Sequence, residues 1–378
     1  MRHRPVASRL RRVRRPARPV RAGSAIRRRL KSCRSPLVGT IIDAGRPPAR
    51  VLIPATLDAL LLPAADAGLR QLFGTTMGTC WSARFVPGLI DDAALLMAIQ
   101  AALDVVVEQM STWLPSSAIS RFNDAPAGSR HTLPAGFVHV LRAALALARD
   151  SGGAYDPAVG ALVDLWGYGP AGARTTLPSA EAIAAARACC GWRRLSFDDR
   201  RASLMQPGGL RLDLSSIAKG YAVDQVCEVL CAHGVEHFLV EIGGELRGLG
   251  CKPDGTPWWV DIERHDDDDH LAPLRVALHG LAVATSGDAR RCFVADGRRC
   301  SHTLDPRSGW PIADTLASVT VLHPSCMLAD GLATAIAVLG PSQGLEFAER
   351  RAIAARIVER ADGVALERTT AAFRQMLE

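Results

Sequence analysis

The sequence predicts an α+β fold with mixed, largely antiparallel sheets and packed helices, preceded by an irregular basic leader. Helix and strand patterns interleave along the 378 residues without a clean βαβ repeat, which argues against a doubly wound parallel sheet. The chain contains no internal repeat, and it is long enough for one large domain or two ordinary ones.

The first 50 residues differ in charge from the rest of the chain. They hold sixteen Lys and Arg residues against a single acid, Asp43, and so contribute +15 to a formal net charge of +7. The remainder therefore carries −8, which gives no indication of a nucleic-acid surface. We expect residues 1–68 to be an Arg/Pro-rich leader, disordered or translated from a misassigned start. Residues 69–378 are then expected to form the functional domain.

The leader gives mixed signals about targeting. It has the outline of a secretory signal, but Pro54, Asp58 and Pro63 interrupt its apolar part, which also begins far from Met1. The residues before Cys33 do not form a lipoprotein motif. No apolar run reaches the roughly 18 residues needed to cross a bilayer, so no transmembrane segment is predicted. The ten cysteines include no C-x-x-C pair, so neither a zinc site nor a thioredoxin-type motif is indicated.

Periodicity and breakers predict the elements in order. A strand is predicted at residues 75–85, where β-branched residues alternate, and helices at residues 91–110, 136–149, 162–168 and 180–188. Strands then dominate residues 192–214, and further strands are predicted at 238–242, 258–263, 274–278, 281–286 and 319–322. A last helix is predicted over residues 327–339, ended by Gly340 and Pro341.

A predicted strand-to-helix junction at residues 210–224 is the first candidate site. Three leucines alternate at strand period over residues 210–214, and Ser215 and Ser216 are suitable helix N-caps because a hydroxyl accepts from free first-turn amides. Free amides beside the carboxylate of Asp213 suit a phosphate or a metal–phosphate pair. Most junctions of this kind are only helix caps, and that interpretation stays open for the motif alone.

The last predicted helix carries a candidate pair of metal ligands. Asp330 and Thr334 are four residues apart, so they share one helix face at about 40° from each other. A carboxylate and a hydroxyl on one face offer two oxygens to a hard cation such as Mg²⁺. A polar face that only meets water produces the same pattern.

Three shorter motifs could also carry chemistry. His302 precedes a Pro-Arg-Ser-Gly turn and is a candidate proton acceptor, although a lone histidine in a loop often has no such role. Residues 284–288 predict a strand running into a tight turn with hydroxyls placed to bind a ligand. The turn at Gly243 and Gly244, followed by Glu245, would let a flat ligand or another backbone approach closely.

In this order, the motifs resemble those of the ApbE family, the FAD:protein FMN transferases. The resemblance covers residues 73–339, and its matching segments are 76–79, 110–113 with 120–123, 153–157, 165–169, 213–214 with 218–224, 241–245, 284–288, 302–306 and 329–334. So many ordered motifs over about 260 residues are not expected by chance.

The resemblance implies an enzyme that uses FAD and Mg²⁺. It would transfer the FMN half of FAD to a Thr or Ser hydroxyl of an acceptor flavoprotein, such as a subunit of a membrane redox complex, and release AMP. The implied Mg²⁺ ligands are Asp330, Thr334 and the backbone oxygen of Ser216, and His302 is the implied base. The implied FAD contacts are Met77, Trp113, Ala154, Tyr155, Asp156, Asp213, Lys219 and Leu304.

Trp113 departs from the family pattern, in which this position is usually Tyr. Trp can still stack on a flavin or adenine, but it lacks the phenolic hydroxyl. Because this position separates transfer from hydrolysis in the family, an Mg²⁺-dependent FAD pyrophosphatase giving FMN and AMP is one alternative. A non-catalytic FAD-binding or delivery protein is another, although such a protein would need neither a metal site nor a base. The family pattern implies the periplasmic face of the inner membrane; without a clear signal peptide, a cytoplasmic location stays open.

Overall fold

The computed structural model describes residues 49–54, 62–263, 270–287, 292–361 and 364–377. Most of the predicted leader and Asp288 lie outside these residues. The helices are α1 (Asp92–Met110), α2 (Ala118–Asn123), α3 (Ala135–Asp150), α4 (Gly160–Leu165), α5 (Ala180–Ala188), α6 (Ala218–Ala232), α7 (Cys326–Arg350) and α8 (Ala371–Arg374), with a 3₁₀ turn at Trp192–Arg194. The strands are β1 (Arg50–Leu52), β2 (Arg70–Thr76), β3 (Thr79–Phe85), β4 (Arg130–Thr132), β5 (Ser196–Asp198), β6 (Ser203–Met205), β7 (Phe238–Ile242), β8 (Glu245–Leu249), β9 (Trp258–Asp261), β10 (Leu274–Leu278), β11 (Leu281–Gly287), β12 (Cys292–Ala295), β13 (Arg298–Ser301), β14 (Leu304–Asp305), β15 (Trp310–Pro311), β16 (Leu316–His323), β17 (Ala354–Ala361) and β18 (Val364–Thr369).

The largest element is an eight-stranded sheet with the order β18-β17-β16-β11-β8-β7-β3-β2. Every neighbouring pair in this sheet is antiparallel. A smaller sheet, β1-β10-β9, joins β1 and β10 in parallel and β10 and β9 antiparallel. The predicted α+β class with largely antiparallel sheets is therefore confirmed.

The two faces of the large sheet are covered differently. Along β16, Val319 and Val321 belong to the main core, which also contains the buried faces of α1, α3, α6 and α7. Leu322 points into a second core with Trp258, Val276 and other residues of the smaller sheet. Because successive strand residues face opposite sides, one alternating apolar strand supplies both cores.

Strand β1 lies within the stretch for which the sequence predicts an irregular leader. Leu52 is completely buried in the second core, and this burial fixes the short strand against β10. The guanidinium of Arg50 donates to both carboxylate oxygens of Glu367 at 2.6 Å. Ordered structure therefore begins before residue 68, while the division of the chain into leader and functional domain stays a prediction.

Helix α1 is the one helix among the described residues that is long and apolar enough to cross a membrane by length and composition. It has 19 residues and a hydropathy of 1.5, a combination that the sequence patterns do not predict. Leu95, Ile99, Leu103 and Val106 are buried at helical spacing in the main core. A core helix of a soluble protein passes the same test, so the finding is weak evidence for a membrane span.

The predicted strand at residues 75–85 is confirmed over residues 79–85, but the chain turns at Met77 and Gly78, so residues 75 and 76 belong to the preceding strand β2. Strands β2 and β3 form a hairpin whose two-residue turn is Met77 and Gly78, with φ values of 47° and 73°. Positive φ at both turn positions matches the twist of the flanking strands. The continuous β-branched pattern hides the turn, and Gly78 is its one local signal.

A buried carboxylate on α6 accepts hydrogen bonds from the start of α7 and so joins the two helices. Asp224 on α6 accepts from the backbone N–H groups of Cys326 and Met327, both at 3.0 Å, and from the Ser325 hydroxyl at 2.8 Å. It also accepts from the guanidinium of Arg247 at 2.6 Å. A side chain of one helix therefore satisfies first-turn amides of the other, which have no partner within their own helix.

Asp224→Ala is expected to lower the free energy of unfolding by about 2–4 kcal/mol. The substitution leaves two first-turn amides and a partly buried guanidinium without their acceptor. Urea unfolding followed by circular dichroism measures the loss. Asp261→Ala is the matched control, because it breaks the exposed ion pair with Arg275 and should cost less than about 1 kcal/mol. Equal losses in the two variants would contradict the capping role.

Candidate active site

The start of α6 differs from the prediction. Residues 210–214 form no strand, although Leu210, Leu212 and Leu214 are completely buried as their alternation indicates. Backbone groups of Leu212 pair instead with the side-chain amide of Asn123 at 2.7 and 2.9 Å. The prediction that Ser215 and Ser216 cap the helix is wrong.

The residue at the N-cap of α6 is Ile217, which cannot cap with its side chain. The cap comes from α7: Gly220 donates its backbone N–H to Oδ2 of Asp330 over 3.0 Å. The two helices pass so closely that a Cβ at position 220 would lie 2.3 Å from the carbonyl oxygen of Cys326. Only glycine permits this approach without displacing one of the helices.

The carbonyl of Ser216 lies just before the N-cap residue, outside the hydrogen-bond ladder of α6. Within the described parts of the chain, no backbone N–H donates to that carbonyl. Asp330 itself is 4% exposed and accepts one hydrogen bond from the described residues. Its carboxylate therefore keeps acceptor capacity for an oxygen-seeking cation at this contact.

Thr334 follows Asp330 by one turn of α7, as predicted. Its hydroxyl is 3.2 Å from the hydroxyl of Ser286 near the end of β11. The hydroxyl motif at residues 284–287 and the polar face of α7 therefore meet, which neither motif alone indicates.

Lys219 connects this contact to the large sheet. Its ammonium donates to Oε1 of Glu245 over 2.5 Å. Burial opposes the charge of Lys219, but Glu245 and Asp330 outweigh that effect and raise the pKa of the lysine. The pKa of Glu245 is raised to about 7, first by burial and also by the nearby Asp330, against the effect of Lys219. Burial likewise raises the pKa of Asp330, while Lys219 and the Gly220 N–H oppose the rise.

The loop at residues 154–158 supplies a second wall of the site. Ala154 and Tyr155 are buried, and the Ser216 hydroxyl donates to the Tyr155 hydroxyl over 3.3 Å. Burial raises the pKa of Tyr155, and Asp330, Asp213 and Asp156 raise it further, so the phenol stays protonated. Three predicted site aspartates therefore interact electrostatically with this phenol, and Ser216 contacts it through a hydrogen bond.

Two aspartates of this wall are held by backbone amides. Asp156 accepts from the N–H groups of Ala158 at 2.8 Å and Trp192 at 3.0 Å, and burial raises its pKa to about 6 despite these bonds. Asp213 accepts from the N–H of Ser215 at 2.8 Å, and its own N–H donates to the carbonyl of Pro157 at 2.9 Å. Asp213 is thus bonded to Pro157, the residue that follows the predicted FAD contacts at 154–156.

His302 and Leu304 lie in a separate group of side chains. The ring of His302 is half-buried and meets the ring of Tyr168 edge-on, with centroids 6.2 Å apart. Leu304 is buried with Trp166 in a small apolar cluster. Arg307 donates to the carbonyl of Val338 at 3.2 Å, which ties this segment to α7.

Met77 and Trp113 lie on the outside of the site residues. Met77 occupies the hairpin turn and packs partly against the main core. Trp113 is 62% exposed after the end of α1, and its neighbour Thr112 lines the same small cavity as Asp213. In the described ranges, neither side chain makes a hydrogen bond to Asp330 or Lys219.

Two residues that build the site are absent from the sequence-based set. Gly220 is needed for the helix crossing, and Glu245 holds Lys219. Both belong to motifs that resemble the family pattern, but their roles depend on contacts that the sequence does not display. The described residues contain no cluster of three or more His, Cys, Asp or Glu side chains of the kind that holds a metal by itself.

Comparison with known proteins assigns the family. Residues 77–357 match the ApbE family. This chain belongs to the ApbE family. The resemblance predicted from the sequence motifs is therefore confirmed.

Relatives and solved structures agree with this assignment. The FAD:protein FMN transferase of Vibrio cholerae is 37% identical over 327 residues, covering 85% of this chain and 98% of the relative. That of Escherichia coli K12 is 34% identical over 292 residues, covering 76% and 83%. The apo crystal structure of the Pseudomonas stutzeri flavinyl transferase ApbE is 43% identical, with a TM-score of 0.76, and the match covers 82% of this chain and 97% of that one. The ApbE protein of Thermotoga maritima gives 29% identity and a TM-score of 0.73 over 82% and 99%.

Gly220→Ala is expected to lower the free energy of unfolding by about 1–3 kcal/mol, because the new methyl group meets rigid backbone of α7. This cost exceeds the gain of about 1 kcal/mol in helix propensity. Gly68→Ala is the control, since its Cβ would meet nothing within 4 Å. Both variants are compared with the wild type by urea unfolding. If they unfold at the same urea concentration, the close crossing at Gly220 is not required.

Proposed function

We propose that this ApbE-family chain transfers the FMN half of FAD to a hydroxyl of an acceptor protein and releases AMP. Family membership and relatives named FAD:protein FMN transferases support the transferase activity. They also argue against the non-catalytic carrier. The observation that carries the site assignment is the Gly220–Asp330 hydrogen bond, which joins the start of α6 to α7.

The residues at this crossing fit a magnesium ion. The carboxylate of Asp330, the hydroxyl of Thr334 and the backbone carbonyl of Ser216 are hard oxygen donors, which Mg²⁺ prefers. We assign these three groups as its ligands. When bound, the ion would supply positive charge against the pyrophosphate oxygens and act as a Lewis acid. A ligand set with one carboxylate leaves positions for substrate oxygens and water.

The remaining predicted residues are assigned to FAD. Lys219 carries positive charge toward the phosphates, while the buried wall of Ala154, Tyr155 and Asp156 excludes water. Asp213 is assigned to the same ligand because its backbone N–H donates to Pro157, next to this wall. Met77, Trp113 and Leu304 complete the assigned contacts, with the exposed indole ring of Trp113 available to stack on a flavin or adenine.

The chemistry requires an aligned hydroxyl and a proton acceptor. The hydroxyl oxygen of the acceptor forms a bond to the phosphorus of the FMN half. The bond from that phosphorus to the bridging oxygen breaks, and AMP leaves with its electron pair. We assign His302 as the base that takes the hydroxyl proton, since an imidazole accepts protons near neutral pH.

The acceptor is proposed to be a flavoprotein with a Thr or Ser at its modified position, such as a subunit of a membrane redox complex. A folded acceptor domain presents that hydroxyl on its surface, so it would reach the site from the side of His302 and Tyr168, where His302 is half-exposed. Hydrolysis is the second candidate, because Trp113 cannot supply the phenolic hydroxyl found at this position in the family.

Asp330→Asn is expected to lower the rate of covalent flavin transfer about 100-fold or more while the fold is retained. The amide oxygen can still accept from Gly220, but the charge that holds the cation is lost. The assay incubates the full chain with FAD, Mg²⁺ and an acceptor domain bearing the family's flavinylation motif, and measures in-gel flavin fluorescence.

Asp199→Asn is the control, because Asp199 is an exposed ion-pair partner of Arg142. This variant should transfer flavin at the wild-type rate. Transfer by Asp330→Asn at the wild-type rate, or transfer undiminished by a chelator, would contradict the metal assignment. Free FMN released by the wild type without acceptor, at a rate similar to transfer, would favour hydrolysis.

A further inference from the structure

Lys219 lies between two buried carboxylates, only one of which has an assigned role. Its ammonium bonds to Glu245 at 2.5 Å and interacts electrostatically with Asp330. Glu245 is at the opposite end of the ion pair from the proposed cation site, on a different element of the fold. We propose that Glu245 is a positioning residue that holds the Lys219 ammonium for the pyrophosphate of FAD. This inference rests on the proposed assignment of Lys219 to FAD.

The two side chains of this ion pair differ in their exposure to solvent. The Lys219 side chain is 33% exposed, whereas that of Glu245 is 4% exposed. A ligand can therefore reach the lysine but not the glutamate. An ammonium has three N–H donors, and Glu245 accepts one, so donors remain for phosphate oxygens. Glu245 acts through Lys219 and does not touch the ligand.

The backbone makes Glu245 a rigid support. It is the first residue of β8, paired with Ile242 across the two-residue turn at Gly243 and Gly244. Both glycines have positive φ, 63° and 107°, which fixes this tight turn. Strand β8 lies between β7 and β11 within the large sheet. Lysine has a flexible four-carbon stem, so a carboxylate fixed on a central strand restricts where its charge can lie.

The hydrogen bonding of this ion pair is not what a purely stabilising role would require. Oε2 of Glu245 is buried and accepts no hydrogen bond from the described residues. Burying a carboxylate with an unpaired oxygen costs folding free energy, so this ion pair is weak evidence for a purely stabilising role. A group that costs stability and holds a ligand-facing lysine fits a functional role.

Glu245→Gln is expected to weaken FAD binding about tenfold or more, because the glutamine keeps the shape but loses the charge that holds Lys219. FAD affinity is measured by flavin fluorescence without acceptor or added metal, and the thermal midpoint is measured on the same samples. The midpoint should stay well above the assay temperature, because the glutamine oxygen can still accept from Lys219, so that lost binding does not reflect unfolding. Lys219→Met should weaken FAD binding at least as much, and the double variant no more than Lys219→Met alone.

Glu359→Gln is the matched control, since Glu359 is also an ion-paired, mostly buried strand glutamate, bonded to Arg368 on the edge strand β18. It should leave FAD affinity unchanged. Glu245→Asp, which keeps the charge on a shorter stem, should bind FAD better than Glu245→Gln and provides the test if the glutamine variant does not fold.

The outcomes separate this proposal from the site assignment. If Lys219→Met weakens FAD binding but Glu245→Gln does not, or if the two effects add, the positioning role is refuted and the site stands. If a fall in thermal midpoint accounts for lost binding in both Glu245 variants, the role is only structural. If Lys219→Met binds FAD as the wild type does, the assignment of Lys219 and this proposal both fail.

Discussion

The close crossing of α6 and α7 at their N-termini is the constraint on which the site depends. Each helix lacks partners for its first-turn amides, and each receives a carboxylate from the other: Asp330 accepts from Gly220, and Asp224 accepts from Cys326 and Met327. The exchange fixes the two helices relative to each other with charges that the positive ends of the helix dipoles favour. Moving either helix would break hydrogen bonds at both.

The crossing also determines the charge of the site. Among the described residues, the buried carboxyls of Asp330 and Glu245 interact with one ammonium, that of Lys219, so two ionised carboxylates would not be fully compensated. Burial raises the pKa of both carboxyls, which is the expected response when buried charges lack full compensation. A divalent cation would offset this excess and so strengthen the binding of the anionic pyrophosphate. The electrostatics are therefore consistent with a metal and a phosphate ligand binding together.

The local sequence pattern predicts the helices and strands themselves better than it predicts the contacts between them. The bounds of α5, β7 and β10 follow from apolar period and breakers, because each element's own residues decide them. The helix break at Gly340 also follows from Gly and Pro, although the helix resumes and continues to Arg350. The cap of α6 could not be predicted, because Asp330 lies 110 residues from Gly220 in sequence. Residue types suggested the metal pair, but the roles of Gly220 and Glu245 depend on packing that one sequence does not reveal.

Hydrogen exchange at the amide of Gly220 tests the crossing most directly. In the wild type, the N–H of Gly220 is bonded to a buried carboxylate. We therefore predict that this amide exchanges as slowly as those in the middle of α6, and only when the protein unfolds. In Asp330→Ala it should exchange as fast as a frayed helix end. A Gly220 amide that exchanges rapidly in the wild type would contradict the account.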